Sequence, residues 1–395
     1  MKKIILLLLV ANVALAQKAG IQFRQIPVAA VFQEARRANK PVFIEIFSPT
    51  CHVCQSFIPT LEDARVGKLY NSKFISTKLD INQPTTQQFL TSRHLFVPSL
   101  PLFLYFDPQQ NMIHFAMSNN STDEVIRHGT NALDPQIRSQ TMKARFQQGE
   151  RSANFLIDYA MYARITRDTV ANMAAMNEYA HQQSSATYAN QTNWAALQKL
   201  VLDYENPLFQ YMLNHLDTYR KAYGAQETQQ VAENILMSSL YSGRGAQFPI
   251  SKILDVKQGL IKIGIDPKVS ANRTLLPEVN AYFRARQTAK AVERMDNQVN
   301  SNQLTVPEYL YITRLFNRSS PDPSDVPTVV KWVNKGLALK PTPKDQADLY
   351  YELAEAYRRG GKNADAQKAA QKSMELAQAS HIDTRRNVEQ MGKLK

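Results

Sequence analysis

The chain has 395 residues, of which 44% are hydrophobic and 21% are charged, and its formal net charge is +13. This length allows two or three domains, and the hydrophobic content is ordinary for chains that build packed cores. The lysines and arginines occur singly or in pairs rather than in a long basic run. This distribution argues against a nucleic-acid-binding protein, because that class needs a clustered basic surface.

The N-terminus predicts an export signal. A positively charged start (residues 1–3, MKK) precedes a short apolar run, and residues 14–16 (ALA) fit a small-x-small cleavage site. These features are typical of a secretory signal peptide over residues 1–16, with an uncleaved membrane anchor as the alternative. We therefore expect export to an oxidising compartment, either the periplasm and cell envelope or the extracellular space, with no membrane span after cleavage.

The pattern after residue 17 alternates between helix and strand. Apolar residues between 28 and 35 fall on one helical face, and Pro41 ends that helix because it disfavours helical backbone before it. A nearly continuous apolar run over 42–47, interrupted by Glu45, predicts a strand buried on both faces. Further elements are expected in this order: a strand near 74–81, a helix near 85–93, strands near 102–106 and 112–117, and a helix from 121. Ser121 and Glu124 form a predicted capping box at the start of that last helix. This order predicts an α/β domain over residues 17–134.

Cys51 and Cys54 are the only cysteines, and they lie where the strand gives way to a helical pattern. The free N–H groups and the positive dipole end at a helix start favour a thiolate, and a second thiol one turn later can resolve a mixed disulfide. This placement predicts a redox-active pair; a structural disulfide, half of a metal site or a relic pair are the alternatives. A zinc site normally needs four ligands, and a bridge across so small a loop constrains the unfolded chain little, so we predict no metal and no cofactor. Six histidines are scattered and have no predicted role: His94, His114, His128, His181, His215 and His381.

Several separate positions resemble the thioredoxin superfamily. The strand–loop–CxxC–helix order fits, and Glu45 precedes Cys51 by six residues, where the family carries a buried acid. Lys78 stands where the family places a lysine near that acid, Pro59 matches the proline that kinks the helix, and Pro101 matches the proline that is cis and faces the cysteines. The segment ANKPVFIEIFSPTCHVC looks most like the exported or tandem-domain branch. The resemblance covers under a third of the chain.

The resemblance implies an exported thiol–disulfide oxidoreductase whose partners are protein thiols or disulfides and a redox partner protein. Cys51 is expected to form the mixed disulfide and Cys54 to resolve it. Glu45, if buried, is expected to move a proton to or from Cys54, and Lys78 to pair with Glu45; an exposed acid and a solvated lysine are the alternatives. The Glu45 and Lys78 pair weakly favours a reductase over an oxidase.

Three further positions concern substrate binding and redox direction. Pro101 is expected to present the backbone of Leu100 to an extended substrate in strand-like pairing, with Pro98 as the competing candidate for the cis position. His52 lies next to the first cysteine, whereas oxidising and isomerising members place a histidine next to the second. If protonated, His52 favours the thiolate and makes the disulfide more oxidising; an exposed histidine of little effect is the alternative.

Beyond residue 134 the pattern is helical to the end. Residues 135–345 predict an α-helical domain of divergent hairpins, and two apolar stripes separated by Gly360 and Gly361 resemble a tetratricopeptide repeat over 346–380, followed by a tail at 381–395. Such arrays bury a continuous core and expose a concave surface, so partner docking and a purely structural extension are both open. The rival to the redox hypothesis is accordingly an envelope interaction protein, in which the helical repeats bind a partner and the thioredoxin-like part is mainly structural.

Overall fold

The computed structural model describes residues 20–394, so the predicted signal peptide lies outside the described residues. The chain forms two compact units, the first ending at Leu208 and the second beginning at Phe209. The domain boundaries at 134, 345 and 380 stay predictions. Within residues 20–394, no helix combines the length and apolar character needed to cross a membrane.

The first unit contains a five-stranded mixed sheet. Its strands are β1 (Phe23–Arg24), β2 (Val42–Phe47), β3 (Ile75–Asp80), β4 (Leu102–Phe106) and β5 (Met112–Ala116). They lie in the order β1-β3-β2-β4-β5, with β1, β3 and β2 parallel and β4 and β5 antiparallel to their neighbours. The central strand β2 is apolar because helices cover both faces of the sheet, which confirms the predicted α/β class.

Among the described residues, ten α-helices of the first unit surround and extend this sheet. They are α1 (Val28–Ala38), α2 (His52–Ser56), α3 (Ile58–Leu61), α4 (Ala64–Lys73), α5 (Pro84–Ser92), α6 (Thr122–Leu133), α7 (Met142–Gln147), α8 (Ala153–Ile165), α9 (Thr169–His181) and α10 (Gln191–Lys199). Alternate residues of β2 point to opposite faces: Ile44 joins the core beneath α1 and α5, whereas Phe43 joins the core beneath α3, α4 and α6. Ile165, at the end of α8, is fully buried in the first of these cores.

Three local features differ from the sequence-based expectations. The helix after the cysteines is interrupted at Phe57, so that Pro59 lies in the first turn of a separate helix, α3, where a missing N–H costs nothing. Helix α4 was not predicted; Asp63 caps it by accepting the backbone N–H of Arg65 at 2.7 Å. The predicted capping box is wrong, because Ser121 precedes α6 but its side chain accepts no capping hydrogen bond.

The second unit is entirely helical among its described residues. Helix α11 (Pro207–Asn214) spans the division between the units, and the helices that follow are α12 (Leu216–Tyr223), α13 (Ala225–Leu240), α14 (Ile250–Lys262), α15 (Pro267–Arg284), α16 (Thr288–Ser301), α17 (Val306–Ser319), α18 (Val326–Ala338), α19 (Pro343–Arg359), α20 (Asn363–Ala379) and α21 (Arg385–Gly392). The α19–α20 pair is the hairpin predicted from the repeat pattern. The predicted tail carries α21, whose Asn387 donates to the buried Ser373 Oγ at 2.7 Å.

Candidate active site

The strand-to-helix junction after β2 brings the two cysteines together. Cys51 occupies the N-cap of α2, with φ −83° and ψ 108°, and its Sγ accepts the backbone N–H of Cys54 at 3.1 Å. Both residues are free thiols; Cys51 is partly exposed and Cys54 is buried. One sulfur therefore faces solvent while the other lies behind it.

Cys54 is held in its neutral form by its surroundings. The pKa of Cys54 is raised to about 11, mainly by burial. The hydrogen bond with Cys51 and the negative charge of Glu45 raise it further, and a hydrogen bond with the Ser48 backbone lowers it by a smaller amount. At neutral pH the Cys54 thiol thus keeps its proton until a base removes it. Cys51 is the thiol that an incoming molecule can reach.

Beneath the pair lies a buried carboxyl group. Glu45 in β2 is 2% exposed, and the sheet register sets it beside Lys78 in β3, whose Nζ lies 2.9 Å from Glu45 Oε2. In the described residues Oε2 accepts no hydrogen bond of standard geometry, so the contact with Lys78 is an ion pair. Burial raises the pKa of Glu45, and the charge of Lys78 only partly offsets that rise.

The loop before β4 faces the exposed thiol. The Leu100–Pro101 peptide bond is the one cis bond among the described residues. The peptide bond before Pro98, the competing candidate, is trans. The carbonyl oxygen of Leu100 lies 4.0 Å from Cys51 Sγ. The structure thus places the Leu100 carbonyl, which precedes the cis proline Pro101, against Cys51 Sγ.

His52 and Val53, between the cysteines, point outward. His52 is exposed and makes no hydrogen bond or ion pair that the described part of the chain shows. Val53 is 57% exposed beside the thiols, and sequence analysis did not single it out.

His114 was given no role by sequence, yet it is buried in β5, away from the cysteines. Its Nδ1 accepts the backbone N–H of Ser139 at 3.1 Å, which places the proton of the neutral ring on Nε2. Burial, reinforced by the nearby charges of His128 and Arg127, lowers the pKa of His114 to about 3. The register of β5 is irregular beside His114, so simple strand alternation does not predict its interior position.

Across residues 20–394 no cluster of three histidine, cysteine or acidic side chains is arranged to hold a metal ion. Residues 24–108 match a protein-family model described as thioredoxin-like, a span that contains both cysteines, Glu45, Lys78 and Pro101. No curated protein matches the chain. Together with the sheet, the family match confirms a thioredoxin-like α/β fold for the N-terminal part, and the helices after it form an all-α region consistent with helical repeats.

Proposed function

We propose that this protein is an exported thiol–disulfide oxidoreductase that acts on protein substrates through Cys51 and Cys54. The observation that carries the proposal is the pairing of an accessible sulfur with a buried one. Cys51 Sγ accepts a backbone N–H from the helix start and faces the Leu100 carbonyl, while the Cys54 thiol lies behind it above a buried carboxyl group. A hydrogen bond to Sγ stabilises negative charge on that sulfur.

In the reducing direction the chemistry has two exchange steps. The Cys51 thiolate attacks a substrate disulfide, forming a mixed disulfide and releasing the other substrate sulfur as a thiolate. The Cys54 thiolate then attacks the Cys51 sulfur, which forms the Cys51–Cys54 disulfide and releases the second substrate thiol. The substrate gains two electrons, the protein loses two, and a dithiol redox partner protein restores the reduced pair.

Glu45 supplies the base that the second step requires. Because the pKa of Cys54 is about 11, its thiol carries its proton at neutral pH and cannot attack until the proton leaves. The buried Glu45 carboxylate takes that proton, and the raised pKa of Glu45 makes it a stronger base than an exposed glutamate. Lys78, 2.9 Å from Glu45, is a positioning residue that holds the carboxylate.

The Glu45 and Lys78 pair weakly favours the reductase direction, and residues 1–16 support export to the periplasm or cell envelope. A reductase outside the cytoplasm needs an electron source across the membrane, and an oxidase needs an oxidising acceptor. The helical region is proposed to dock a protein partner. The redox hypothesis and the rival interaction hypothesis have this role in common.

Reduction of insulin disulfides by the mature chain, with dithiothreitol as electron donor, tests the activity. Wild type should accelerate insulin precipitation, whereas Cys51→Ser should fall to the uncatalysed rate. In cells that export the protein, Cys54→Ala should accumulate mixed disulfides that vanish on reduction, because the resolving thiol is gone. If Cys51→Ser keeps full activity and Cys54→Ala traps nothing, the interaction hypothesis replaces the redox one.

A further inference from the structure

A pocket of about 310 Å³ opens next to the reactive thiol. Its walls are mostly apolar and come from the end of β3, from α5, from the loop before β4 and from the turn after α8; they include Leu90, Leu95, Phe96, Leu100 and Arg167. This volume is at the low end of the range of about 300–1,000 Å³ found for ligand pockets. We call it the Arg167 pocket.

The Arg167 pocket and the site at Cys51 have Leu100 in common. Leu100 lines the pocket, and the carbonyl oxygen of the same residue lies 4.0 Å from Cys51 Sγ. A polypeptide that pairs with the Leu100 backbone while its cysteine reacts at Cys51 therefore runs past the mouth of this pocket. Its side chains alternate in direction, so a residue near the reactive cysteine points into the pocket.

Arg167 gives the pocket a charge. It is exposed, and among residues 20–394 its guanidinium has neither an ion-pair nor a hydrogen-bond partner. The residues that line the pocket include no acid, so the positive charge is not compensated locally. A carboxylate is the group that a free guanidinium pairs with best, because the two planar groups can form two parallel hydrogen bonds.

The helical region holds this arrangement in place. The backbone N–H of Phe96 donates to the carbonyl of Ile165 at 2.8 Å, and the Arg164 guanidinium lies 5.3 Å from the centre of the Phe96 ring. Ile165 is fully buried in the core beneath the sheet. The turn that carries Arg167 is thus fixed to the loop before β4, although it lies more than thirty residues beyond the predicted end of the α/β domain.

We propose that the Arg167 pocket is a substrate subsite that binds an apolar side chain and an acidic side chain two residues away from it, in the protein segment flanking the cysteine that reacts with Cys51. The proposal rests on the proposed function and names its substrate class. The apolar walls hold the first side chain and Arg167 pairs with the carboxylate of the second.

The test uses the mature chain carrying Cys54→Ala and short peptides whose single cysteine is disulfide-linked to thionitrobenzoate. The Cys51 thiolate attacks the peptide sulfur, forming the Cys51–peptide disulfide and breaking the bond to thionitrobenzoate, which leaves as a coloured thiolate because its thiol is the more acidic one. One peptide carries Leu and Glu, two residues apart, on each side of the cysteine; others replace Glu by Lys, or Leu by Ser. Second-order rate constants are measured from thionitrobenzoate release.

We expect the Glu peptide to react about fivefold faster than the Lys peptide, the range of one partly exposed ion pair. Replacing Leu by Ser should slow the reaction about tenfold. Arg167→Gln should abolish the Glu preference and Arg167→Glu should reverse it. Arg37→Glu makes the same charge change on the exposed face of α1, outside the pocket, and should keep the wild-type preference.

Equal rates for the Glu and Lys peptides, measured with the Cys54→Ala chain that keeps Arg167, overturn the subsite proposal. So does an equal change of preference in Arg37→Glu and Arg167→Glu, since that result assigns the selectivity to the overall charge of the protein. Failure of the proposed function looks different: thionitrobenzoate release is then slow with every peptide and unchanged by Cys51→Ser, and wild type does not reduce insulin.

Discussion

Ile165→Ala should destabilise the thioredoxin-like core, although Ile165 lies in α8. The side chain is 0% exposed and packs in the core with residues of β2, α1 and α5. Truncation removes three buried carbons, at about 0.8 kcal/mol each, and leaves a cavity, so the expected loss is about 3 kcal/mol. For a unit of this size that loss lowers the thermal midpoint by roughly 6–12 °C. Hydrogen exchange in peptides from β2 and β4 should speed up roughly a hundredfold.

Two variants control this measurement. Ile165→Val keeps most of the volume and should cost about 1 kcal/mol. Val170→Ala removes apolar carbons from a nearby side chain that is 72% exposed, and should shift the midpoint by less than about 2 °C. If Ile165→Ala leaves exchange in β2 and β4 unchanged, α8 is not part of that core, and the support of the Arg167 pocket fails with it.

Three further predictions concern titratable groups. Because burial raises the pKa of Glu45, its stabilising contribution is present below the unfolded pKa of about 4.3 and is lost as pH rises through the folded pKa. In denaturant unfolding, the free energy of unfolding of Glu45→Gln should therefore match that of wild type near pH 4 and exceed it by about 1 kcal/mol at pH 8. A variant that is less stable than wild type at pH 8 contradicts this. With a pKa of about 11, about one Cys54 thiol in a thousand is ionised at pH 8. Iodoacetamide should therefore modify Cys51 first, which mass spectrometry can follow. Equal rates of modification at the two cysteines would show that Cys54 is not shielded. Burial holds the pKa of His114 at about 3, so its contribution to the free energy of unfolding is full above the unfolded pKa of about 6.5 and falls as pH drops toward 3. His114→Gln should therefore reduce the loss of stability below pH 6.5 by about 1 kcal/mol per pH unit. If thermal unfolding shows the same dependence of stability on pH below 6.5 in the variant and in wild type, His114 is not the origin of that loss.

Much of the site follows from local sequence. The apolar run of β2 and the adjacent CxxC place Cys51 and Cys54 at a strand-to-helix junction, because strand and helix periodicities are local signals. The position of Glu45 beside Lys78 came from family resemblance, since pairing between strands is not encoded in spacing along the chain. The sheet register then brings the two side chains into contact.

Other features depend on long-range packing that no local pattern records. Helix α4 is different, because Val66, Leu69 and Tyr70 lie on one helical face behind the N-cap Asp63; its signal is local and was overlooked. The burial of Ile165 and the position of Arg167 beside Leu100 arise because α8 packs back onto the sheet. The interior position of His114 depends on its neighbour Ser139, which no motif links to it.

The central claim is that Cys51 and Cys54 cycle between a dithiol and a disulfide. Equilibrating the mature chain in glutathione buffers of graded potential, then trapping free thiols with acid and alkylating them, measures this cycle directly. We expect a single two-electron transition that Cys54→Ala abolishes, at a potential nearer the reductase value of about −270 mV than the strong-oxidant value of about −120 mV. A pair that stays reduced throughout that range, or that forms only a glutathione adduct at Cys51, would contradict the claim.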